Sequence, residues 1–323
     1  MSSQPQLQRV INIDASSLSS LNCYRRYWTK FVLGLCGESL PYNDTELGSA
    51  WHVFRNVLAK EHNEAKAVTA ALNYFAARMQ QGMIVRKDRD HLDADYLTQL
   101  CMKYLHKFGK EKSFGKYEYL NSPIDGQPLV EQSFSIKLFE NDMLRINFQG
   151  TMDEFVIHPA GYIIIGDDKT TSKWDVKKHL GGFRMKPQLK VYRLAVQLLA
   201  EQPGGEWFKE LLETKRIGCR INGVFLKKSV NDVEFHHGDV IFYDDDELTT
   251  FRMMLRDLVD RIAKDVIHGS PGVHPPPEGM LNDTCVSSYC EFAAACKMPE
   301  SVYNSMLNNY AKRSYEPLNF RKL

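Results

Sequence analysis

Hydrophobic and polar positions change period several times along the chain, and those changes outline its elements. Val10 to Asp14 reads as a short strand or turn. A helix beginning near Ser17 or Ser20 would then carry Cys23, Tyr24, Arg25, Arg26, Tyr27 and Trp28. From Glu46 to about Lys116 the spacing is helical, with Trp51, Phe54, Leu58, Ala70, Leu72 and Phe75 in apolar stripes between charged faces. The period then drops to two. Val130, Phe134, Ile136 and Leu138 mark a strand over Leu129 to Leu138, and two more strands cover Leu144 to Ile157 and Tyr162 to Thr170. His158-Pro159-Ala160-Gly161 between the last two is turn chemistry, which makes them a hairpin. A helix opens at Pro187, a residue favoured at the first helical position, and runs to about Ala200. The strand Ile217 to Leu226 follows.

Asp244, Asp245, Asp246 and Glu247 lead into an amphipathic helix bearing Phe251, Met254, Leu255, Leu258 and Ile262. Capping and the helix dipole explain that acidic run better than a metal site does. Ser270 to Glu278 is a Pro-rich linker to a cluster of cysteines, and no internal repeat is visible. The order of elements predicts an α/β fold: a mixed central sheet flanked by helices, a helical N-terminal insertion and a cysteine-cluster C-terminal segment.

Composition narrows the class only modestly. With 323 residues, 43% apolar and 25% charged, the chain has the makeup of an ordinary globular protein. No secretory leader or bilayer-length apolar run is visible, so a cytoplasmic location without membrane contact is expected. A net charge of +1 leaves the nucleic-acid question to local clustering. The seven cysteines are an odd number without an export signal, which argues against a disulfide framework.

The chemistry concentrates in Gly150 to Thr171, GTMDEFVIHPAGYIIIGDDKTT. If the turn centres on Ala160, Asp153 faces Asp167 across the hairpin. Lys169 shares the face of Asp167, while Asp168 points the other way. Two close carboxylates repel each other unless a cation or proton lies between them, and a hard ion such as Mg²⁺ or Mn²⁺ prefers such oxygen ligands. The ion would activate a water, and Lys169 would orient it or neutralise charge in the transition state. A D-x-K tripeptide alone is better read as a surface hairpin with cross-strand ion pairs; the Gly-x-x-Asp strand and the turn register shift the reading. Downstream, Lys169, Lys173, Lys177, Lys178, Arg184, Lys186, Lys190 and Arg193 face a single acid, Asp175. Such a run is suited to phosphate backbones, with Trp174 and Phe183 as candidates for stacking on bases.

Gly150-Thr-Met-Asp153, Asp167-Asp-Lys169-Thr170 and Gln188-Leu-Lys-Val-Tyr192 together resemble the PD-(D/E)XK nuclease superfamily, specifically its RecB-type branch. The resemblance runs from about Ser17 to Cys296. It implies a restriction-endonuclease-like core, with Asp153, Asp167 and Lys169 catalytic. Gln188 and Tyr192 would contact DNA or support the lysine, alongside Lys173, Lys177, Lys178 and Arg184. Glu46-Leu-Gly-Ser-Ala-Trp-His52 looks like the branch's upstream motif. The metal ligands would then be His52, Asp153, Asp167 and the backbone carbonyl of Asp168, with Glu131 as an assisting group. Expected segments are 1–43 with the first cluster cysteine, 44–120 helical with His52, 121–268 the nuclease core, and 269–323 the linker, cysteine cluster and tail.

Cys285, Cys290 and Cys296 offer three thiolates, one short of the usual four, and Cys23 could supply the fourth. Structural zinc and unligated thiols remain open on the residues alone. Resemblance to AddB-like members implies a [4Fe–4S] cluster held by Cys23, Cys285, Cys290 and Cys296. The four residues between Cys285 and Cys290, where the family commonly has two, weaken the case for Cys285. The expected function is a metal-dependent deoxyribonuclease, an exonuclease on single-stranded or end-containing DNA that leaves 5′-phosphate and 3′-hydroxyl ends. Proteins of a recombination or repair complex would be its partners. A non-catalytic DNA-binding or scaffolding protein of the same fold, or a structure-dependent endonuclease, are the alternatives.

Overall fold

Side-chain caps mark the starts of several helices. The computed structural model describes residues 8–36, 41–173, 175–269, 274–275, 290–313, 315 and 318. After β1 (Arg9–Ile13), Asp14 and Ser17 close a capping box that opens α1 (Ala15–Leu18). The long helix expected here is broken. Cys23 is the residue before α2 (Tyr24–Tyr27), and Trp28–Val32 continues as one π-helical turn. Beyond β2 (Leu35–Cys36) lie α3 (Asn43–Glu61), α4 (Glu64–Gln81) and α5 (Ala94–Phe108). The Asn63 and Asp93 side chains accept the free amide N–H groups that begin α4 and α5.

The strand-rich half comprises β3 (Glu118–Tyr119), β4 (Val130–Glu140), β5 (Leu144–Ile157) and β6 (Ile163–Thr171). It continues with α6 (Val176–Gly181), α7 (Pro187–Ala200), α8 (Glu206–Thr214), β7 (Ile217–Phe225), β8 (Glu234–His237) and α9 (Asp245–His268). The chain ends with α10 (Ala293–Cys296), α11 (Glu300–Leu307) and β9 (Ala311–Lys312). Strand β5 and helix α7 have the expected limits, whereas α8 is an addition. Fold class is as expected: α/β, with a mixed central sheet flanked by helices. Among the described residues no helix is long and apolar enough to cross a membrane.

The chain divides into two compact units, each gathered from separate stretches. The first comprises Met1–Ser39, Phe134–Gly150 and Thr249–Phe320. Within it β1 runs parallel to the first half of β5, from Arg9 opposite Leu144 to Ile13 opposite Phe148. Buried Asn12 and Asn147 join their side chains at 3.0 Å across that pair. Phe292, Ala295, Tyr303 and Leu307 form a small core, with Cys290 and Cys296 packed against it. Cys23 is buried in the same unit. Cys285 and most of the Pro-rich linker lie outside the described residues.

The second unit comprises Leu40–Ser133, Thr151–Leu248 and Arg321–Leu323. Here the second half of β5 pairs antiparallel with β6, with Glu154 opposite Gly166 and Ile157 opposite Ile163. That is the register set by a turn centred on Ala160. The ladder ends at Glu154 and Gly166, so Asp153 and Asp167 lie just past it. Strand β7 runs parallel to β6 and antiparallel to β8, and all nine of its residues are buried between its neighbours and the helices. Helices α3, α4 and α5 share an apolar core containing Trp51, Phe54, Phe75, Leu97 and Tyr104.

Two glycines let this unit close. A Cβ at Gly48 would stand 2.7 Å from Thr170 Oγ1, so α3 reaches the end of β6 only because that atom is missing. A Cβ at Gly166 would lie 2.5 Å from Glu154 Oε1 and 2.6 Å from its Cγ. Glu154 cannot yield, because Arg55, Ser113 and Asn222 all hold its carboxylate. Gly166→Ala is therefore expected to destabilise the fold by about 1–3 kcal/mol through overpacking. Urea unfolding should show the midpoint falling with the slope unchanged.

Candidate metal centre

Three side chains from separate elements meet in the second unit. Helix α3 carries His52, the start of β4 carries Glu131, and β5 carries Asp153. His52 Nδ1 lies 3.4 Å from Glu131 Oε1 and 3.4 Å from Asp153 Oδ2. Their potential ligand atoms all fall within 4.8 Å of one another, the spacing of a shared ion. Glu131 has φ of 51°, a left-handed conformation rare for a residue with a Cβ. Strain of this kind persists where surrounding structure enforces it, and here it accompanies a carboxylate brought to the cluster.

These residues line a cavity of about 10 Å³, roughly the space one water or one small ion occupies. An imidazole with two carboxylates is a donor set that fits a divalent metal ion. The same Asp153 Oδ2 that faces His52 also accepts the Asp168 amide N–H at 2.8 Å, which fixes the carboxylate in place.

Asp167 is fully buried and held mainly by α7. Its Oδ1 accepts from Gln188 Nε2 at 2.7 Å, Tyr192 Oη at 2.8 Å and Lys169 Nζ at 3.0 Å. Its Oδ2 lies 2.7 Å from Lys169 Nζ but has no partner in hydrogen-bond geometry. The Lys169 ammonium is the counter-charge that this buried carboxylate needs. Burial raises the Asp167 pKa; Lys169 opposes the rise and the charge of Asp153 adds to it. Among the described residues, Asp167 stands outside the metal-capable group of His52, Glu131 and Asp153. The polar ends of Gln188 and Tyr192 are turned to Asp167.

Period-two alternation sends the neighbouring acids, Glu154 and Asp168, to a different task. Arg55, one turn beyond His52 on α3, pairs with Glu154 at 2.9 Å and with Asp168 at 3.1 Å. Asn222 Nδ2 donates to both carboxylates at 2.8 Å, Ser113 Oγ to Glu154 at 2.6 Å, and Trp51 Nε1 to Asp168 at 3.2 Å. Asn222 Oδ1 takes Arg220 Nε at 3.0 Å and meets His237 Nδ1 at 2.9 Å. Because Asn222 Oδ1 is an acceptor, Nδ1 is the ring nitrogen that carries the proton. Burial works against the Arg55 charge, yet Tyr104, Tyr119, Asp168 and Glu154 outweigh it and raise its pKa well above the usual arginine value. Burial, then Arg220, Arg55, Lys116 and His236, push His237 down to about 3.

Of the basic run, Lys173, Lys177, Lys178, Arg184 and Lys186 are exposed around α6 and the turn after it. Arg184 Nη2 lies 3.4 Å from both oxygens of Glu247. Phe183 is not available for base stacking: it is buried, with Lys186 Nζ 3.8 Å above its ring and His179 edge-on to it. Trp174 lies outside the described residues. The sequence did not reveal the Arg55 network. Two acids on apolar strands were a sign that a buried counter-charge must exist, but its position on α3 depends on how the helix docks.

The PD-(D/E)XK nuclease superfamily model matches residues 15–297. No curated protein matches the sequence. Among solved structures, one titled "Crystal structure of SSO0001" is similar at 14% identity, over 84% of this chain and 94% of that one, with a TM-score of 0.28.

Arg55→Ala leaves two carboxylates buried without their cation and is expected to cost about 3–5 kcal/mol of stability, measured by denaturant unfolding. His237 supplies a pH signature. Its folded pKa of about 3 lies below the unfolded value of 6.5, so its contribution is whole above pH 6.5. That contribution is lost as pH falls from there through the folded pKa. His237→Asn keeps a donor for Asn222, and urea midpoints measured against pH should fall less steeply below pH 6.5 than in the wild type.

Proposed function

The chain belongs to the PD-(D/E)XK nuclease superfamily, and from that premise we propose that it is a Mg²⁺- or Mn²⁺-dependent deoxyribonuclease of the RecB-type branch, acting as an exonuclease on single-stranded or end-containing DNA. The observation that carries this reading is the convergence of His52, Glu131 and Asp153 on a one-ion cavity beside the braced pair Asp167 and Lys169. A divalent ion held by those three residues, with Asp167 at its side, would supply Lewis-acid polarisation and a water of lowered pKa.

The remaining chemistry falls to the protein's own groups. The Lys169 side chain is 28% exposed, so its ammonium can meet a phosphate oxygen while Asp167 holds it in place. There it would donate to the non-bridging oxygen on which charge builds. Gln188 and Tyr192 keep Asp167 oriented, which in turn orients Lys169. Lys173, Lys177, Lys178 and Arg184 supply phosphate contacts along the approaching strand. The absence of a dedicated base-reading element in the sequence supports the exonuclease form over a site-specific endonuclease.

For the C-terminal segment we propose a [4Fe–4S] cluster ligated by Cys23, Cys285, Cys290 and Cys296. Support comes from Cys23, Cys290 and Cys296 sharing one compact unit, with the last two against a single small core. Such a cluster would fasten the start of that unit to its end.

Labelled linear, circular and single-stranded DNA, incubated with and without Mn²⁺, tests the activity. Linear and single-stranded DNA should be degraded only with metal, and circles spared. Asp153→Asn and Lys169→Ala should each lower kcat by at least about a hundredfold. Cleavage of circles would replace the exonuclease reading with an endonuclease, and silence on every substrate would leave a DNA-binding scaffold. A brown preparation with stoichiometric iron and acid-labile sulfide would support the cluster, and zinc in its place would overturn it.

A further inference from the structure

We propose that the cavity at the carboxyl ends of β6 and β7 seats a nucleotide of the strand being cut, a few positions from the scissile bond. This inference rests on the nuclease reading above and assigns a role to the helical insertion. The cavity measures about 790 Å³ and lies wholly within the second unit. That volume is in the range of sites that enclose small organic ligands.

Its position follows from topology. Strands β6 and β7 are parallel, their last pair is Thr171 with Phe225, and the next residue of each, Ser172 and Leu226, lines the cavity. Crevices outside the carboxyl ends of parallel strands are where open α/β sheets receive ligands. Lys169 stands three residues before Ser172 on the same stretch of chain. At about 3.3 Å per residue that is roughly 10 Å, near three stacked nucleotide steps of ~3.4 Å. A strand whose phosphate lies at Lys169 therefore reaches the cavity within a few nucleotides.

The walls suit one base with its phosphate better than a run of phosphates. Leu92, from the segment between α4 and α5, and Leu226 add apolar lining with no polar demand of its own. Arg89 and Lys227 also line the cavity, but their charges are partly answered by Asp88 and Glu234. Exposed Lys228 adds a cation at the wall. Those carboxylates would accept from the amino groups that bases carry, while the cations take the phosphate.

The wall is also built in advance. Tyr96 Oη on α5 donates to the Lys227 carbonyl at 2.8 Å and accepts its N–H at 3.2 Å. Lys103 Nζ on α5 reaches the carbonyls of Val230, Asn231 and Val233 at 3.0, 2.6 and 2.8 Å. The insertion is thereby fixed to the loop that follows β7, so little ordering remains for a bound strand to impose.

The test uses the full-length protein, the exposed-site variant Lys228→Glu and the filling variant Ser172→Trp. Binding of fluorescent single-stranded oligonucleotides of increasing length is followed by anisotropy in EDTA, and cleavage is followed in Mn²⁺. Wild-type affinity should step up once the oligonucleotide is long enough to enter the cavity. Both variants should lose that step, weakening long oligonucleotides roughly tenfold while dinucleotide binding and kcat at saturation stay as in the wild type. Equal affinity in all three proteins, or a loss uniform over every length, overturns the cavity while the nuclease reading stands. A wild type that neither binds nor cuts removes both.

Discussion

A guanidinium sealed inside the second unit holds the candidate metal centre together. Arg55 is buried, and its partners Glu154 and Asp168 belong to two different strands, so one side chain ties α3 to β5 and β6 at once. Burying two carboxylates and a guanidinium is unfavourable unless nearly every polar atom is matched. Here Asn222, Ser113, Trp51, Tyr104 and Tyr119 supply most of the matching. His52 sits one helical turn from Arg55, so what fixes Arg55 also fixes where the imidazole meets Glu131 and Asp153.

The acids come in adjacent pairs, Asp153 with Glu154 and Asp167 with Asp168, and each pair divides its duties. Asp153 lies in the candidate centre, and Asp167 meets Lys169, Gln188 and Tyr192. The second member of each pair joins the Arg55 network. Alternation along a strand makes this division possible, and it also makes it unforgiving, because a one-residue slip would exchange the two sets. The hairpin turn that centres on Ala160 therefore sets chemistry as well as pairing. Gly166 reflects the same constraint from the other side: it leaves room for the Glu154 carboxylate and for nothing more.

Two environments for carboxylates result. Asp167 is deeply buried, braced by Gln188 and Tyr192, with its rise in pKa opposed by Lys169. Asp153, Glu131 and His52 surround a space for one ion. The helical insertion contributes to both ends of this arrangement. It carries His52 and Arg55 on α3, and the segment before α5 lines the cavity at the ends of β6 and β7.

Much of the fold and part of the site were legible in the sequence, because they rest on short-range rules. Period-two alternation with a Pro-Gly turn determined the β5–β6 hairpin and its register, and Pro187 the start of α7. Local spacing likewise pointed to Asp153, Asp167 and Lys169, and the family resemblance to His52. What tertiary structure alone decided is contact between residues far apart in the chain. It brought Glu131 to His52 through a left-handed residue that no propensity suggests, and turned Gln188 and Tyr192 onto Asp167. It also buried Phe183 against Lys186 and His179, and matched Arg55 to acids about a hundred residues away. Hydrophobic periodicity tells which face of an element is buried. Which charged group waits on the opposing face depends on how helices dock against the sheet, and docking is settled by packing over the whole unit.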